Sequence, residues 1–504
     1  MWTRARWALA GLTAGLGGLG TSYLTAVLLG LRGNPVTDVA ELVIRLTPGA
    51  VAEDAISRVG HEDKPLLVTG VLVALVVLFC ACGLLARRWP GVGMGGFVVL
   101  GVIGLVADQS QYAATPVGIL PILVGVMTWL VAFGSLTGLL RPGPFASRQR
   151  GLDPDRRFVV AASGVGVGSL LLAGLGWKAG GHRRAVDAAR DALDLRLRDP
   201  GPPSGVDVGV DGVTAWQTPA ARFYRIDTSL SPPAISPDDW SLRIHGMVDR
   251  EVTLTYADLL KRQRSEIWMT LNCVSNPVGG DLISNAWWSG TTLKALLEEA
   301  GVRPGANAVK QTSDDGWTCG TPLPALLDDR GAMLAYAMNG APLPIEHGFP
   351  VRTLVPGLYG YVSACKWLRD IEVMTFDSFS AYWTERGWSE QGPVKLASRI
   401  DVPGDGQRVK AGRVQAGGLA WQQHTGISEV QVQLDGGGWQ PATLARRNIT
   451  DSWVQWAATL EVERGGHRLA VRAVNDDGQV QTAVRADPVP NGASGWHTIG
   501  FSAE

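Results

Sequence analysis

The sequence carries almost no net charge: Lys+Arg 45 stand against Asp+Glu 46 in 504 residues. With no basic excess to neutralise phosphates, nothing in it points to nucleic acid as a partner. Cysteine is scarce, five in all, and no CxxC pair or Cys/His spacing of a zinc site occurs. Histidine is missing from every long apolar run; His61 lies in a loop and the other six come after the last run. A b-type haem inside a helical bundle needs axial ligands, usually His, so no haem is expected. A regular βαβ alternation is absent as well, which argues against a doubly wound sheet.

What the sequence does have is a first third rich in Leu, Val, Ala and Gly. About 20 mainly apolar residues cross a bilayer, and residues 7–31, 65–86, 92–107, 116–140 and 158–177 read as about five spans, the third shorter and Gly-rich. The Lys/Arg bias of short loops sets orientation. Arg4 and Arg6 precede the first run, Arg87 and Arg88 follow the second, and Arg141, Arg148, Arg150, Arg156 and Arg157 lie between the fourth and fifth. These ends belong in the cytoplasm. The loop with Asp38, Glu41, Glu53, Asp54, Glu62 and Asp63 belongs outside, as does everything after Trp177. Arg156-Arg157-Phe158 before an apolar run has the form of a twin-arginine export signal; plain positive-inside anchors are the other reading. The bundle can anchor the chain, dock a partner or line a quinone pocket.

Length predicts roughly three folding units. Residues 1–178 form the transmembrane helical domain and 179–215 a linker with a short amphipathic helix, broken by Pro200-Gly201-Pro202-Pro203. Residues 216–391 mix strands with short helices as an α+β domain. One helix there runs from Thr292 to Ala300 and stops at Gly301. Residues 392–504 hold β-rich runs at 409–415, 427–434, 453–462 and 467–474 between Gly/Asp turns, the spacing of a β-sandwich.

Cys273 closes a strand-like stretch, 267–271, and opens a Gly/Pro-rich loop in Asn272-Cys273-Val274-Ser275-Asn276. It can be a buried small residue, a nucleophile or a soft metal ligand; no signature of an activating base surrounds it. A second segment bears on the choice: His347-Gly348-Phe349-Pro350-Val351-Arg352, then Pro356-Gly357-Leu358-Tyr359-Gly360, then Lys366-Trp367. Arg presents a planar fork to phosphate and Lys a point charge, so these loops have the groups to hold a phosphorylated cofactor.

In this combination the chain resembles the sulfite oxidase family of molybdopterin enzymes over residues 216–504. The matching pieces are Phe223-Tyr224-Arg225, the Asn272-Cys273-x-x-Asn276 loop, Met338-Asn339-Gly340 with Pro342-Leu343-Pro344, the run from His347 to Arg352, and Lys366-Trp367-Leu368. The C-terminal part resembles the family's Ig-like dimerisation domain, through Val430-x-Val432-x-x-Asp435-Gly436-Gly437 and Trp439. The resemblance implies one molybdenum-molybdopterin per chain, with the Cys273 thiolate on the metal. It implies that His347, Arg352 and Lys366, with backbone near Ala364 and Cys365, hold the pterin and its phosphate, that Tyr224 and Arg225 approach from the other side, and that Ser313 adds a further contact. Arg225 joins Cys273 as a catalytic candidate. The implied reaction is two-electron oxygen-atom transfer on a small molecule.

The match departs from the family in two places. Sulfite oxidases carry two arginines soon after the cysteine loop, where this sequence has Pro277-Val278; and Trp388 stands where an active-site tyrosine would fall. A sulfite dianion needs dense positive charge, so a larger or less charged substrate is expected, in the manner of the related periplasmic methionine sulfoxide reductases. Trp287, Trp288, Trp383 and Trp388 can line a pocket or pack a core. With no fused haem domain in the sequence, the electron partner is expected to be separate, a cytochrome or quinone. The Ig-like part implies a homodimer. Cys319 and Cys365 can pair in an oxidising compartment or remain two buried thiols. The contrasting expectation is a catalytically inactive, membrane-anchored binding or assembly protein that keeps the fold.

Overall fold

The computed structural model describes residues 2–31, 33–47, 63–111, 114, 116–140, 154–179, 181–446 and 449–504. It divides into two compact units, Met1–Ala188 with Thr228–Ala234, and Ala189–Asp227 with Ile235–Glu504.

The first unit is helical: α1 (Trp2–Leu28), α2 (Pro35–Leu46), α3 (Asp63–Ala86), α4 (Pro90–Gln109), α5 (Ile119–Leu139) and α6 (Pro154–Ala179). Three stretches, Lys64–Ala86, Pro90–Gln109 and Pro116–Leu139, are long and apolar enough to cross a membrane. The first and fifth expected spans are also helices, α1 and α6, but they fall outside that set. α1 lies against α3, α5 and α6, and a Cβ on Gly11 would strike the Phe79 carbonyl of α3, as one on Gly83 would strike that of Trp7. Small residues here let the backbones of α1 and α3 approach closely. The segment after the first expected span, read as a loop by its charges, contains α2, an amphipathic helix started by a capping box in which Asn34 Oδ1 accepts from Val36 N and Thr37 N. The basic cluster Arg141, Arg148 and Arg150 and the acids Glu53, Asp54 and Glu62 lie outside the described residues. Within this unit Lys64 Nζ donates to Ser229 O at 2.8 Å, and Leu230 N donates to Glu41 Oε1 at 3.3 Å. The amphipathic linker helix is shorter than its pattern, α7 (Gly181–Asp191).

The second unit is built on strands: β1 (Ser241–Gly246), β2 (Val252–Thr255), β3 (Ser265–Asn272), β4 (Ile283–Thr292), β5 (Ala308–Ser313), β6 (Thr318–Pro322), β7 (Met333–Met338), β8 (Ala341–Pro342), β9 (Arg352–Leu354) and β10 (Leu368–Met374). One sheet runs β2-β1-β10-β5-β6, with β1 parallel to β10; a second runs β3-β4-β7-β8, with β9 on β7. Helix α8 (Leu293–Ala300) buries Leu293, Leu296, Leu297 and Ala300, the i, i+3, i+4, i+7 face, and ends at Gly301 with φ 72°. Two further sheets follow, from β11 (Ala397–Val402), β12 (Arg408–Val409), β13 (Gly412–Trp421), β14 (Ile427–Leu434), β15 (Gln440–Pro441), β16 (Thr443–Leu444), β17 (Val454–Val462), β18 (Gly465–Asn475) and β19 (His497–Ala503). They are ordered β11-β13-β17-β16 and β12-β19-β18-β14-β15. Alternate residues such as Val414, Ala416, Val430, Val432, Val471 and Ile499 meet in one core. The single run expected at 409–415 is two strands, divided where Lys410 and Ala411 separate β12 from β13.

Candidate active site

The candidate residues come from three stretches of the second unit. The first is the end of β3. Cys273 donates its N–H to Leu282 O at 3.0 Å, and Asn276 N returns to Cys273 O at 3.2 Å, so the loop doubles back under the thiol. Cys273 is buried. Burial pushes its pKa up; hydrogen bonds from the Ser275 N–H and hydroxyl and from the Val274 N–H oppose this and favour the thiolate.

The second stretch carries Tyr224 and Arg225. Tyr224 N donates to Ser284 Oγ at 3.1 Å, and its ring stacks on Phe223. Burial holds its hydroxyl well above the usual phenol value; charge on Cys273 adds to this and the Arg352 cation opposes it. Tyr224 therefore lies within electrostatic reach of both. Arg225 Nε donates to Asp227 Oδ2 at 2.8 Å.

The third stretch runs from His347 to Lys366. His347 ends a 3-10 turn, and Gly348 at φ 105° reverses the chain into β9. A Cβ on Gly348 would sit 3.1 Å from Arg352 Cβ and from Lys366 Cα, so glycine here allows that approach. His347 Nε2 lies 3.0 Å from Ala220 O, which fixes it as the protonated nitrogen and leaves Nδ1 as an acceptor. Burial, then the Arg352 and Lys366 charges, depress its pKa to about 4. Arg352 is buried in β9. Its Nη1 donates to His347 O at 3.1 Å and its Nη2 to Ala364 O at 3.4 Å. Its Nε is buried with no hydrogen-bond partner. Burial lowers its pKa to about 10. Lys366 Nζ donates to Asp227 Oδ2 at 2.8 Å; burial lowers its pKa to about 8, with Asp227 pulling the other way.

A Cβ placed on Gly360 would meet Tyr224 Oη at 3.6 Å, Asn272 O at 3.7 Å and Ala364 Cβ at 3.8 Å. The three stretches therefore converge there. Both main-chain groups of Cys365 are engaged by Thr353: Cys365 N donates to Thr353 Oγ1 at 2.9 Å, and Thr353 N to Cys365 O at 3.0 Å. Burial, and then the neighbouring Cys319, hold its thiol well above the usual value; both cysteines are free thiols. Ser313 lies at the end of β5, where its N–H donates to Trp317 O at 2.9 Å and Asp314 N donates to Trp367 O at 2.8 Å. Trp388 is buried, its ring 5.9 Å from Tyr361 and 6.4 Å from Trp383.

Residues 229–383 match the family model described as "Oxidoreductase molybdopterin binding domain". Sulfite oxidase of Gallus gallus is 30% identical over 313 residues, 52% of this chain and 68% of that protein. The "Uncharacterized oxidoreductase YuiH" of Bacillus subtilis (strain 168) is 36% identical over 153 residues, 30% of this chain and 74% of that one. The chain belongs to the sulfite oxidase family of molybdopterin oxidoreductases. Mitochondrial sulfite oxidase of Macaca fascicularis is 31% identical over 335 residues, 56% of this chain, and the match spans 61% of that relative's length. Among solved folds, the "Sulfane Dehydrogenase SoxCD" of Paracoccus pantotrophus aligns with a TM-score of 0.51 at 24% identity, over 58% of this chain and 84% of its own.

The residues present fit the family's pterin. A buried guanidinium with an orphaned Nε, a buried ammonium and a neutral imidazole with a free acceptor nitrogen suit a phosphorylated heterocycle. Other participants had no motif to mark them. Asp227 joins Arg225 to Lys366, Thr353 braces Cys365, and the Ser275 and Val274 donors face the thiol. The Arg225-x-Asp227 spacing, and for Val274 and Ser275 their place in the Asn272–Asn276 loop, are the available signals.

Proposed function

We propose that this chain is a membrane-anchored molybdenum oxidoreductase that performs two-electron oxygen-atom transfer on a small extracytoplasmic substrate other than sulfite. The observation that carries the reading is Arg352: a buried cation with one unpaired N–H, in electrostatic reach of Tyr224 and hydrogen-bonded to the main chain at His347 and Ala364. Bound molybdenum-molybdopterin supplies the oxygen transfer and the redox change. Cys273 is its protein thiolate, favoured by the Ser275 and Val274 donors. Arg352 and Lys366 hold phosphate oxygens, and neutral His347 accepts a hydrogen bond from the pterin. Ala364 and Cys365 form the wall behind them, with Tyr224 opposite and Ser313 as a further contact. Arg225, with 38% of its side chain exposed, carries positive charge on the substrate side.

Five spans with an inner N-terminus place the catalytic unit outside. Lys64, which follows the loop expected outside by charge, donates to Ser229 O, and Glu41, within that loop, accepts from Leu230 N, which supports this reading. Electrons leave or arrive through a separate cytochrome or quinone. The C-terminal sandwich is Ig-like and pairs two chains.

The test is metal and pterin analysis of the full chain, purified in detergent from a host that makes the cofactor. One molybdenum per chain is expected, and Cys273→Ser should fold but lose activity. A folded, metal-free chain overturns the reading in favour of a binding or assembly protein.

A further inference from the structure

The loop that carries Cys273 is tied back on itself and then fastened to the C-terminal sandwich. Within it, Asn276 N donates to Cys273 O, Gly280 N donates to Pro277 O at 2.9 Å, and Leu282 N donates to Asn276 Oδ1 at 3.0 Å. The fastening comes from β11, where Arg399 Nη1 donates to Gly280 O at 2.8 Å. The same guanidinium donates from Nε to Asp401 Oδ1 at 2.7 Å and from Nη2 to Thr214 Oγ1 at 2.8 Å, while Asp401 Oδ2 accepts from Thr214 N at 2.9 Å. Arg399 and Asp401 keep only 9% and 8% of their side chains exposed, and a buried charge is held in place by its hydrogen-bonded partners. The Arg399 main chain is fixed as well, since its O accepts from Trp456 Nε1 at 3.2 Å in the sandwich core. A second group comes from β19. Strand β11 shifts register between Ile400 and Val402, and Ile400 N donates to His497 Nδ1 at 2.9 Å, which leaves the ring proton on Nε2. A Cβ on Gly279 would sit 2.3 Å from that Nε2. The loop backbone therefore rests against the imidazole, at a φ of 82° that glycine takes readily.

We propose that Arg399 and His497 are positioning residues for the Cys273 thiolate, so that the C-terminal sandwich forms part of the active site's frame. A thiolate serves a metal only at a set distance and angle, and the groups behind a ligand set both. Cys273 sits where a strand gives way to a loop, the kind of segment that opens locally at small cost. Arg399 takes that freedom away by joining Gly280 O to Asp401 and Thr214, and His497 supports the neighbouring Gly279. A lysine could keep the charge but not the forked donors that reach all three acceptors at once. This inference rests on the reading of Cys273 as the metal's thiolate, while the brace itself can be tested with no metal bound.

The experiment has two readouts on the full chain in detergent. In the first, chain from a host unable to make the cofactor is exposed to iodoacetamide, and the modification rate of each cysteine is followed by peptide mass mapping. Cys319 and Cys365, both wholly buried, report any general opening. Arg399→Lys keeps a cation beside Asp401 and loses the fork. His497→Asn keeps an acceptor near the place of Nδ1 and removes the ring beside Gly279. Each should raise the Cys273 rate by about tenfold and leave Cys319 and Cys365 unchanged. Val471→Ala, a cavity in the sandwich core, is the control and should not favour Cys273 over the other two. In the second, the molybdenum-loaded chain is reduced by one electron, and its paramagnetic resonance, which reports the orientation of a metal-bound thiolate, should shift in Arg399→Lys and His497→Asn but not in Val471→Ala. A Cys273 rate unmoved in both variants, all three cysteines accelerating together, or an unshifted resonance overturns the proposal. A loosened Cys273 in a chain that takes up no molybdenum overturns the thiolate reading and leaves the brace standing.

Discussion

The guanidinium carbon of Arg352 lies 5.4 Å from the ring centroid of Trp288. The planar cation thus rests on an aromatic face with its Nη atoms bonded to main-chain carbonyls. A lysine can neither stack in this way nor present two forked donors. Arg352→Lys should therefore keep the fold and reduce pterin bound per chain by at least about tenfold, the effect of losing one charge-assisted hydrogen bond. Pterin fluorescence after acid release, normalised to protein, measures it. Full retention of pterin would remove Arg352 from the cofactor's partners.

His347 makes the stability of the cofactor-free chain depend on pH. Its folded pKa, about 4, lies below the ordinary value of 6.5, so the unfolded chain binds a proton that the folded one refuses. The stability it contributes is complete above pH 6.5 and is lost as pH falls through the window to 4. A difference of this size corresponds to about 3 kcal/mol. Denaturant titrations of the parent and His347→Gln at pH 7.0, 5.5 and 4.5 should diverge, the parent falling more steeply. Parallel curves would mean that His347 is protonated in the folded state.

Lys366 and Asp227 form a buried ion pair, with 11% and 3% of their side chains exposed. Removing one partner strands the other. Asp227→Asn should destabilise the second unit by about 3–5 kcal/mol, while Lys366→Met combined with Asp227→Asn should recover much of that loss. Urea unfolding followed by tryptophan fluorescence measures both. A double variant no better than the single one would show that Asp227 acts mainly through Arg225.

Much of this candidate site is legible in the sequence, because phosphate and metal chemistry restricts which residue types can serve. Cys273, His347, Arg352 and Lys366 stand out as reactive or charged groups in Gly/Pro-broken loops. Their supports do not stand out. Asp227, Thr353 and Ser275 are ordinary polar residues whose role depends on where β9 and the cysteine loop come to rest, and that is set by long-range pairing. In the helical unit α1 is apolar but Gly-rich, and Gly11 and Gly15 are where a Cβ would strike Phe79 of α3.

Asn285 ties the cofactor domain to the C-terminal sandwich, and its loss should be felt in both. Its side chain is wholly buried. Oδ1 accepts from Thr270 Oγ1 and from Ser452 Oγ, each at 3.0 Å, and Nδ2 donates to Trp216 O at 3.0 Å. Thr270 lies on β3, three residues before Cys273, and its Oγ1 also accepts from Trp453 N at 2.8 Å. Asn285→Ala leaves two hydroxyl donors without their acceptor in a dry environment, while Trp216 O keeps the bond from Trp453 Nε1 at 3.0 Å. An unsatisfied buried group costs about 1–3 kcal/mol, and the network shares donors, so the losses should not add fully. A total of about 3–4 kcal/mol is expected. Asn285→Asp keeps the two accepted bonds but buries a carboxylate, and should be at least as damaging at pH 8 and partly relieved at pH 5, where protonation restores a donor toward Trp216 O. Thermal unfolding at the two pH values, alongside molybdenum content, separates these effects. If both variants melt like the parent, the two domains are held together by their shared apolar core and not by this amide.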